Sequence, residues 1–209
     1  MIVQGSEEWH QLRCGKATAS RIADIMAQGQ GKTRASYMRQ LLAERLTGLP
    51  TVGFKSASMD RGNIAESGAR EAYEYHTGLF VEQVAFVDHP RIAMSGASPD
   101  GLVTSEGGVE IKCPDSTTHI DTLQGASIDG GYLKQMQWNM ACTQRQWWDY
   151  VSFDARMKDP AMRLFIKRVR RDDAMITAIE IAVITFLAEL DAKVSELTSR
   201  YGSGLELAA

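Results

Sequence analysis

The middle of the chain carries two acids and an amine at a spacing suited to phosphoryl chemistry. Asp100 lies in the turn-forming string Ser98-Pro99-Asp100-Gly101, and Glu110 and Lys112 follow in Val109-Glu110-Ile111-Lys112-Cys113-Pro114. On a strand, alternate side chains share a face, so Glu110 and Lys112 project together while Val109 and Ile111 face the core. A hairpin turn at Glu106-Gly107-Gly108 sends the chain back and brings the Asp100 carboxylate beside Glu110. Two adjacent carboxylates repel, and a divalent cation removes the objection. Hard oxygen donors suit Mg²⁺ or Mn²⁺, which keep several waters and accept one or two carboxylates plus substrate phosphate oxygens. Water on such an ion becomes a usable hydroxide near neutral pH, and the ion stabilises charge on a phosphoryl group under attack. Lys112 is placed to orient that water or take up its proton. The bland alternative is a surface hairpin with an ordinary Glu/Lys pair, worth at most ~1 kcal/mol.

The elements that must hold these residues fall into three parts of a 209-residue chain, the size of one domain. Residues 1–78 read as helical. Ser6 caps a first helix that Gly15 stops, and Thr18 or Ser20 caps a second with Ile22, Ile25 and Met26 at helical spacing. A third covers residues 35–47, with Tyr37, Met38, Leu41, Leu42 and Leu46 on one side, and a fourth covers residues 58–76. Residues 79–170 change period. Short β-branched or aromatic runs at 80–88, 92–97, 101–104, 109–113, 147–153 and 164–169 predict strands, with a helix at 132–143 between the fourth and fifth. An apolar helix over 172–197, with few outward positions, closes a terminal part spanning 172–200. The expected fold class is α/β (α+β), a single domain with a central mixed sheet flanked by helices.

Charge is unevenly distributed along the chain. The net charge is −3, yet residues 13–45 carry Arg13, Lys16, Arg21, Lys32, Arg34, Arg39 and Arg45 against Asp24 and Glu44 alone. Arg163, Lys167, Arg168, Arg170 and Arg171 add a second basic run, whereas the chain from Asp172 onward is acidic. Such segregation lets a basic face meet a polyanion, unless the charges mix again in three dimensions. Cys14, Cys113 and Cys142 are too scattered for a zinc or iron–sulfur site and read as small buried residues of a reducing compartment. His10, His76, His89 and His119 are isolated. The start, MIVQGSEEWH, lacks a basic segment followed by an apolar run, and residues 179–190 are too short to span a bilayer. No membrane association is expected.

Asp100 followed by Glu110-Ile111-Lys112 resembles the PD-(D/E)xK nuclease core. The fuller strings Ser98-Pro99-Asp100-Gly101 and Glu110-Ile111-Lys112-Cys113-Pro114 resemble the lambda exonuclease-like viral recombinase branch of alkaline exonucleases. Trp9-His10-x-Leu12-Arg13-x-Gly15, Thr18-Ala19-Ser20, Gly62-x-x-x-Glu66, Gln135-x-Gln137 and the aromatic strand leading to Arg156 fall in the same order as in that family. The resemblance covers residues 5–170.

It implies a restriction-endonuclease-like fold and a Mg²⁺-dependent 5′–3′ exonuclease on linear double-stranded DNA, with Mn²⁺ as substitute. The products would be mononucleotides and a 3′ overhang for recombination. Asp100, Glu110 and the backbone carbonyl of Ile111 correspond to metal ligands, Glu66 to the acid of a second ion, and Lys112 to the catalytic lysine. Arg13, Ser20, Ser98 and Gln135 correspond to a pocket for the terminal 5′ phosphate, a group that Arg13 can fork onto. Met59 corresponds to an apolar wedge, and Gln137, Lys32 and Arg34 are further candidate DNA contacts. The resemblance also implies a homotrimeric ring, a single-strand annealing recombinase as partner, and the cytoplasm of a bacterial host carrying a phage or prophage. Alternatives are another nuclease of the same core, endonucleolytic or 3′-directed, and a non-catalytic DNA-end-binding module, which the retained Asp100, Glu110 and Lys112 disfavour. A phosphohydrolase of small nucleotides would not need the basic N-terminal third.

Overall fold

The computed structural model describes residues 2–27, 32–51 and 57–202, with the backbone alone over 57–64. Helix α1 (Glu7–Arg13) begins where the Ser6 hydroxyl accepts from the Trp9 amide, with Glu7 and Glu8 in its positive first turn. The next segment differs from expectation. Thr18 caps nothing; it ends strand β1 (Ala17–Thr18), which pairs in parallel with Ser95 and Gly96. Ser20 sits in a 3₁₀ turn (Ala19–Arg21) before the short α2 (Ile22–Ile25). The strand pairing takes the backbone that a longer helix would have used.

Helices α3 (Lys32–Thr47) and α4 (Ala57–Thr77) follow. The run predicted as one strand over 80–88 splits into β2 (Val81–Glu82) and β3 (Val87–Asp88), which join different sheets. Then come β4 (Ser95–Ala97), β5 (Gly101–Val103), β6 (Gly107–Lys112), α5 (Ser116–Leu123), α6 (Gly130–Thr143), β7 (Trp147–Phe153), β8 (Leu164–Arg170) and α7 (Asp173–Tyr201). The larger sheet has the order β2-β5-β6-β7-β8, with β6 and β7 parallel and the other pairs antiparallel. A smaller sheet, β1-β4-β3, lies beside it. The expected mixed sheet flanked by helices is what the chain forms.

Apolar periodicity does not mark α5, whose STTHIDTL is rich in residues that favour caps and turns. Asp115 caps it, and its fully buried His119 bonds the Ser152 hydroxyl and the Met162 carbonyl, each at 2.8 Å. The long α7 buries Ile176, Ile179, Val183, Phe186, Leu187 and Leu190 but exposes Ile181 and Ile184 by more than half. Of the two outcomes the sequence allowed, its acidic residues take the second and mix with basic ones. Glu189 takes the fork of Arg34, Asp191 pairs with Arg45, and Glu180 pairs with Arg91. Docking α7 against α3 mixes the charges that sequence order had separated.

The hairpin turn also moves. Thr104, Ser105 and Glu106 form it, with Thr104 in the left-handed region at φ 53°, and Gly107 and Gly108 belong to β6. A Cβ at Gly107 would stand 2.1 Å from the Trp147 ring and one at Gly108 2.3 Å from the Trp148 ring. The glycines therefore make room for two indoles on opposite faces of the sheet. Trp138, Trp147 and Trp148 are all buried, so none is free to stack on a base. No helix among the described residues is long and apolar enough to cross a membrane.

Because the Trp148 ring fills the space over Gly108 and is itself enclosed, Gly108→Ala should destabilise the fold by about 1–3 kcal/mol. A urea unfolding midpoint equal to that of the unsubstituted protein would show that the indole yields freely.

Candidate active site

Strand β6 runs through the middle of the larger sheet, and its alternation does what the sequence predicts. Val109 and Ile111 enter an apolar cluster with Tyr73, Trp147 and Val151, while Glu110 and Lys112 point to the other face. In the β5–β6 hairpin Gly101 pairs with Val109, so Asp100, one residue earlier, stands opposite Glu110. The Asp100 carboxylate accepts from the Ile111 amide at 2.7 Å. Lys112 Nζ donates to Glu110 Oε1 at 2.6 Å and lies 4.8 Å from the centre of the Tyr132 ring.

Helix α6 covers this face. Tyr132, Gln135 and Asn139 occupy one side of it at helical spacing. Gln135 Nε2 donates to Glu110 Oε1 at 2.7 Å, and Asn139 Nδ2 donates to Oε2 at 3.2 Å. Glu110 is completely buried and receives three donors, one of them charged. Glu66 approaches from α4, its carboxylate held by Arg70 at 3.1 Å.

The electrostatics are those of crowded negative charge. Burial, and then the neighbouring Asp100, raise the Glu110 pKa despite Lys112. Burial also raises that of Asp100, against the opposing pull of Lys112 and the Ile111 amide. Glu66 is raised by burial and by Asp100. Burial works against the Lys112 ammonium, but Glu110 and Asp100 outweigh it, and its pKa rises. Lys112 is thus a held cation. Burial together with Glu66 and Asp100 pushes the nearby Cys113 thiol up to about 11, which keeps it inert.

The donor set fits a hard divalent cation. All the acidic groups offer oxygen, and each raises the energy of its neighbour's charge, a situation a cation relieves. Among the described residues no group of three or more His, Cys, Asp or Glu is arranged to hold an ion by itself. Mg²⁺ does not require such a cage, because it keeps several waters and takes one or two carboxylates with substrate phosphates.

Three of the four residues expected at a terminal phosphate come together. Arg13 Nη1 donates to Ser98 Oγ at 2.8 Å, and the Arg13 guanidinium lies 4.2 Å from the centre of the Trp9 ring. Trp9 Nε1 also donates to Ser98 Oγ, at 3.0 Å. Arg13 and Ser20 line a cleft of about 300 Å³ together with Lys16, Arg21 and Tyr37. Gln135 bonds Glu110 instead.

The remaining candidates are dispersed. Gln137 is only 3% exposed; its amide donates to the Arg170 carbonyl and accepts from the Asp172 amide, clamping the β8–α7 junction. Arg34 is engaged by Glu189. Lys32 is exposed at the start of α3. The Met59 side chain lies outside the described residues. Asn139, Tyr132 and Arg70 join the site without having been expected. For Asn139 the sequence held only a faint signal, a polar residue between Trp138 and Met140 at helical spacing from Tyr132 and Gln135.

Residues 8–146 match the YqaJ-like viral recombinase domain. Two crystal structures of LHK-Exo, an alkaline exonuclease from Laribacter hongkongensis, one of them in complex with dAMP, are 46% identical to the chain. Each covers 94% of this chain and 98% of its own, with a TM-score of 0.89. A phage related exonuclease from Haemophilus somnus 129PT shares the fold at 20% identity and a TM-score of 0.69, over 87% of this chain and 96% of that one. No curated protein matches the chain significantly.

The raised pKa of Asp100 has a measurable sign. An acid whose folded pKa lies above its unfolded value penalises the fold once pH exceeds the unfolded pKa, and the penalty disappears as pH falls below it. Asp100→Asn keeps an acceptor for the Ile111 amide and removes the charge. In EDTA its melting midpoint should exceed that of the unsubstituted protein near pH 8, with the gap closing toward pH 4. A gap that widens on acidification would contradict the stated electrostatics.

Proposed function

The chain belongs to the family of YqaJ-like viral recombinase domains, which carries a nuclease role on DNA, and we propose that it is a Mg²⁺-dependent 5′–3′ exonuclease acting on linear duplex ends. It releases mononucleotides and leaves a 3′ overhang. The observation that carries the reading is the gathering of Asp100, Glu110 and Lys112 at the β5–β6 hairpin, with Glu66 of α4 near enough for Asp100 to raise its pKa. The dAMP held by LHK-Exo is a mononucleotide, the class of product proposed here.

Asp100, Glu110 and the Ile111 carbonyl would hold one ion, and Glu66 a second; Mn²⁺ would replace Mg²⁺. When bound, the ion supplies an activated water and neutralises charge on the phosphate. The side chains provide the rest. Lys112, kept charged between Glu110 and the Tyr132 ring, presents N–H donors to the phosphate oxygens, where charge accumulates as the P–O bond breaks. Arg70 restrains Glu66, and Gln135 and Asn139 fix the Glu110 carboxylate so that it need not reorganise.

At the duplex end, Arg13 forks onto a terminal 5′ phosphate, with Ser98 and the exposed Ser20 as further donors. Trp9 holds both Arg13 and Ser98 in place. A hydroxyl end would leave these donors without an anion. A ring-shaped homotrimer, which requires a heterologous closing interface, and a single-strand annealing recombinase as partner rest on the family resemblance.

Two measurements test the reading. On end-labelled linear duplex with Mg²⁺, Lys112→Ala should lower the rate of nucleotide release by about 10²–10⁴-fold. EDTA should abolish the native activity and covalently closed circles should survive; cutting of circles would make the enzyme an endonuclease. Separately, the native protein should favour 5′-phosphorylated over 5′-hydroxyl ends, and Arg13→Ala should erase that preference while still degrading hydroxyl ends. Equal native rates on the two ends would remove the phosphate pocket from the reading.

A further inference from the structure

We propose that Asn139 is a positioning residue for the divalent ion: it fixes the Oε2 side of Glu110 with its amide nitrogen and offers its amide oxygen to the O–H donors of a hydrated cation. The inference rests on the metal-dependent reading above and deepens it.

Glu110 is held unevenly. Oε1 receives both the Lys112 ammonium, at 2.6 Å, and the Gln135 amide, at 2.7 Å. Oε2 receives Asn139 Nδ2 alone, at 3.2 Å. Oε2 is therefore the oxygen with lone-pair capacity left for a cation, and Asn139 is the group that sets its direction. The other end of the same amide is anomalous. Asn139 is fully buried, and its Oδ1 has no hydrogen-bond partner among the described residues.

An unsatisfied buried amide oxygen is unfavourable. The bond to Glu110 Oε2 uses only the amide nitrogen, so it accounts for a donor at this position but not for the buried, unpartnered oxygen beside it. Packing and the bond to Glu110 therefore leave the amide oxygen unexplained. A hydrated cation does, because it needs a fixed carboxylate oxygen and its waters need acceptors. Tyr132 and Gln135, on the same side of α6, already serve Lys112 and Glu110, so Asn139 extends a polar stripe that contacts this site. Groups that orient a metal ligand in this way typically change affinity by about 10–100-fold.

The test is calorimetric titration of Mg²⁺ and Mn²⁺ into DNA-free protein, comparing the native chain with Asn139→Ala and Asn139→Leu, with melting midpoints in EDTA measured in parallel. Both variants should bind each ion about 10–100-fold more weakly. In EDTA both variants should melt below the native midpoint, because the buried Glu110 Oε2 loses its donor, and added Mg²⁺ should raise their midpoints by less than it raises the native one, a loss of ion-linked stabilisation that a purely structural role would not produce. In DNA degradation the loss should appear as a higher Mg²⁺ requirement, with the rate largely recovered at saturating ion. Native-like ion affinity in the variants, while the native protein binds, overturns this inference alone. Failure of the native protein to bind any ion overturns the metal-dependent reading with it. Should neither variant fold, the Asn139 side-chain amide resonances of the native protein decide: they must shift on Mg²⁺ addition, and unmoved resonances overturn the proposal.

Discussion

A fully buried carboxylate at the centre of a sheet is the constraint around which the rest of the chain is arranged. Glu110 has no solvent to stabilise its charge, so the fold must supply donors and a countercharge. They come from two elements. Lys112 is carried by the same strand, and Gln135 and Asn139 descend from α6. Asp100 then adds a second negative charge from the facing strand, which works against stability. A fold optimised for stability alone would not place it there, and local conflict of this kind is typical of functional sites. The penalty is one that a bound cation would relieve.

The surrounding architecture is what makes that arrangement rigid. Strand β6 is paired on both sides, antiparallel to β5 and parallel to β7, so its alternation cannot slip by one residue without moving Glu110 into the apolar cluster of Tyr73 and Val151. Gly107 and Gly108 allow the indoles of Trp147 and Trp148 to lie directly against the strand that carries the site. On the far face, Tyr73 of α4 donates to Asp149 of β7 at 2.8 Å, and Arg168 of β8 grips the same carboxylate with two bonds. That buried network ties down the helix from which Glu66 reaches Asp100.

The distribution of charge along the chain has a different outcome from its distribution in space. Arg34 and Arg45, part of the basic N-terminal third, are neutralised by acids of α7. Arg13 is not; its neighbours are Trp9, Ser98 and Thr18, and it opens onto a cleft shared with Lys16 and Arg21. Lys16 and Arg21 in that cleft are themselves paired, with Asp88 and Asp24, which leaves Arg13 as its cation without a carboxylate partner among the described residues.

Local pattern alone determined much of the catalytic hairpin. The alternation of Glu110 and Lys112, the approach of Asp100, the cap at Ser6 and the boundaries of β7 all follow from period and turn chemistry, which act over a few residues. Family motifs added Glu66 and the Arg13–Ser98 pairing partners, which no spacing rule connects. Only tertiary structure decided the rest: that Gln135 serves Glu110, that Asn139 belongs to the site, that Gln137 is a buried clamp, that two glycines exist for two indoles, and that α7 cancels part of the basic run. The reason is common to all of them. Each depends on which faces of distant elements meet, and that is settled by packing against the whole core, where sequence neighbours no longer say who the spatial neighbours are.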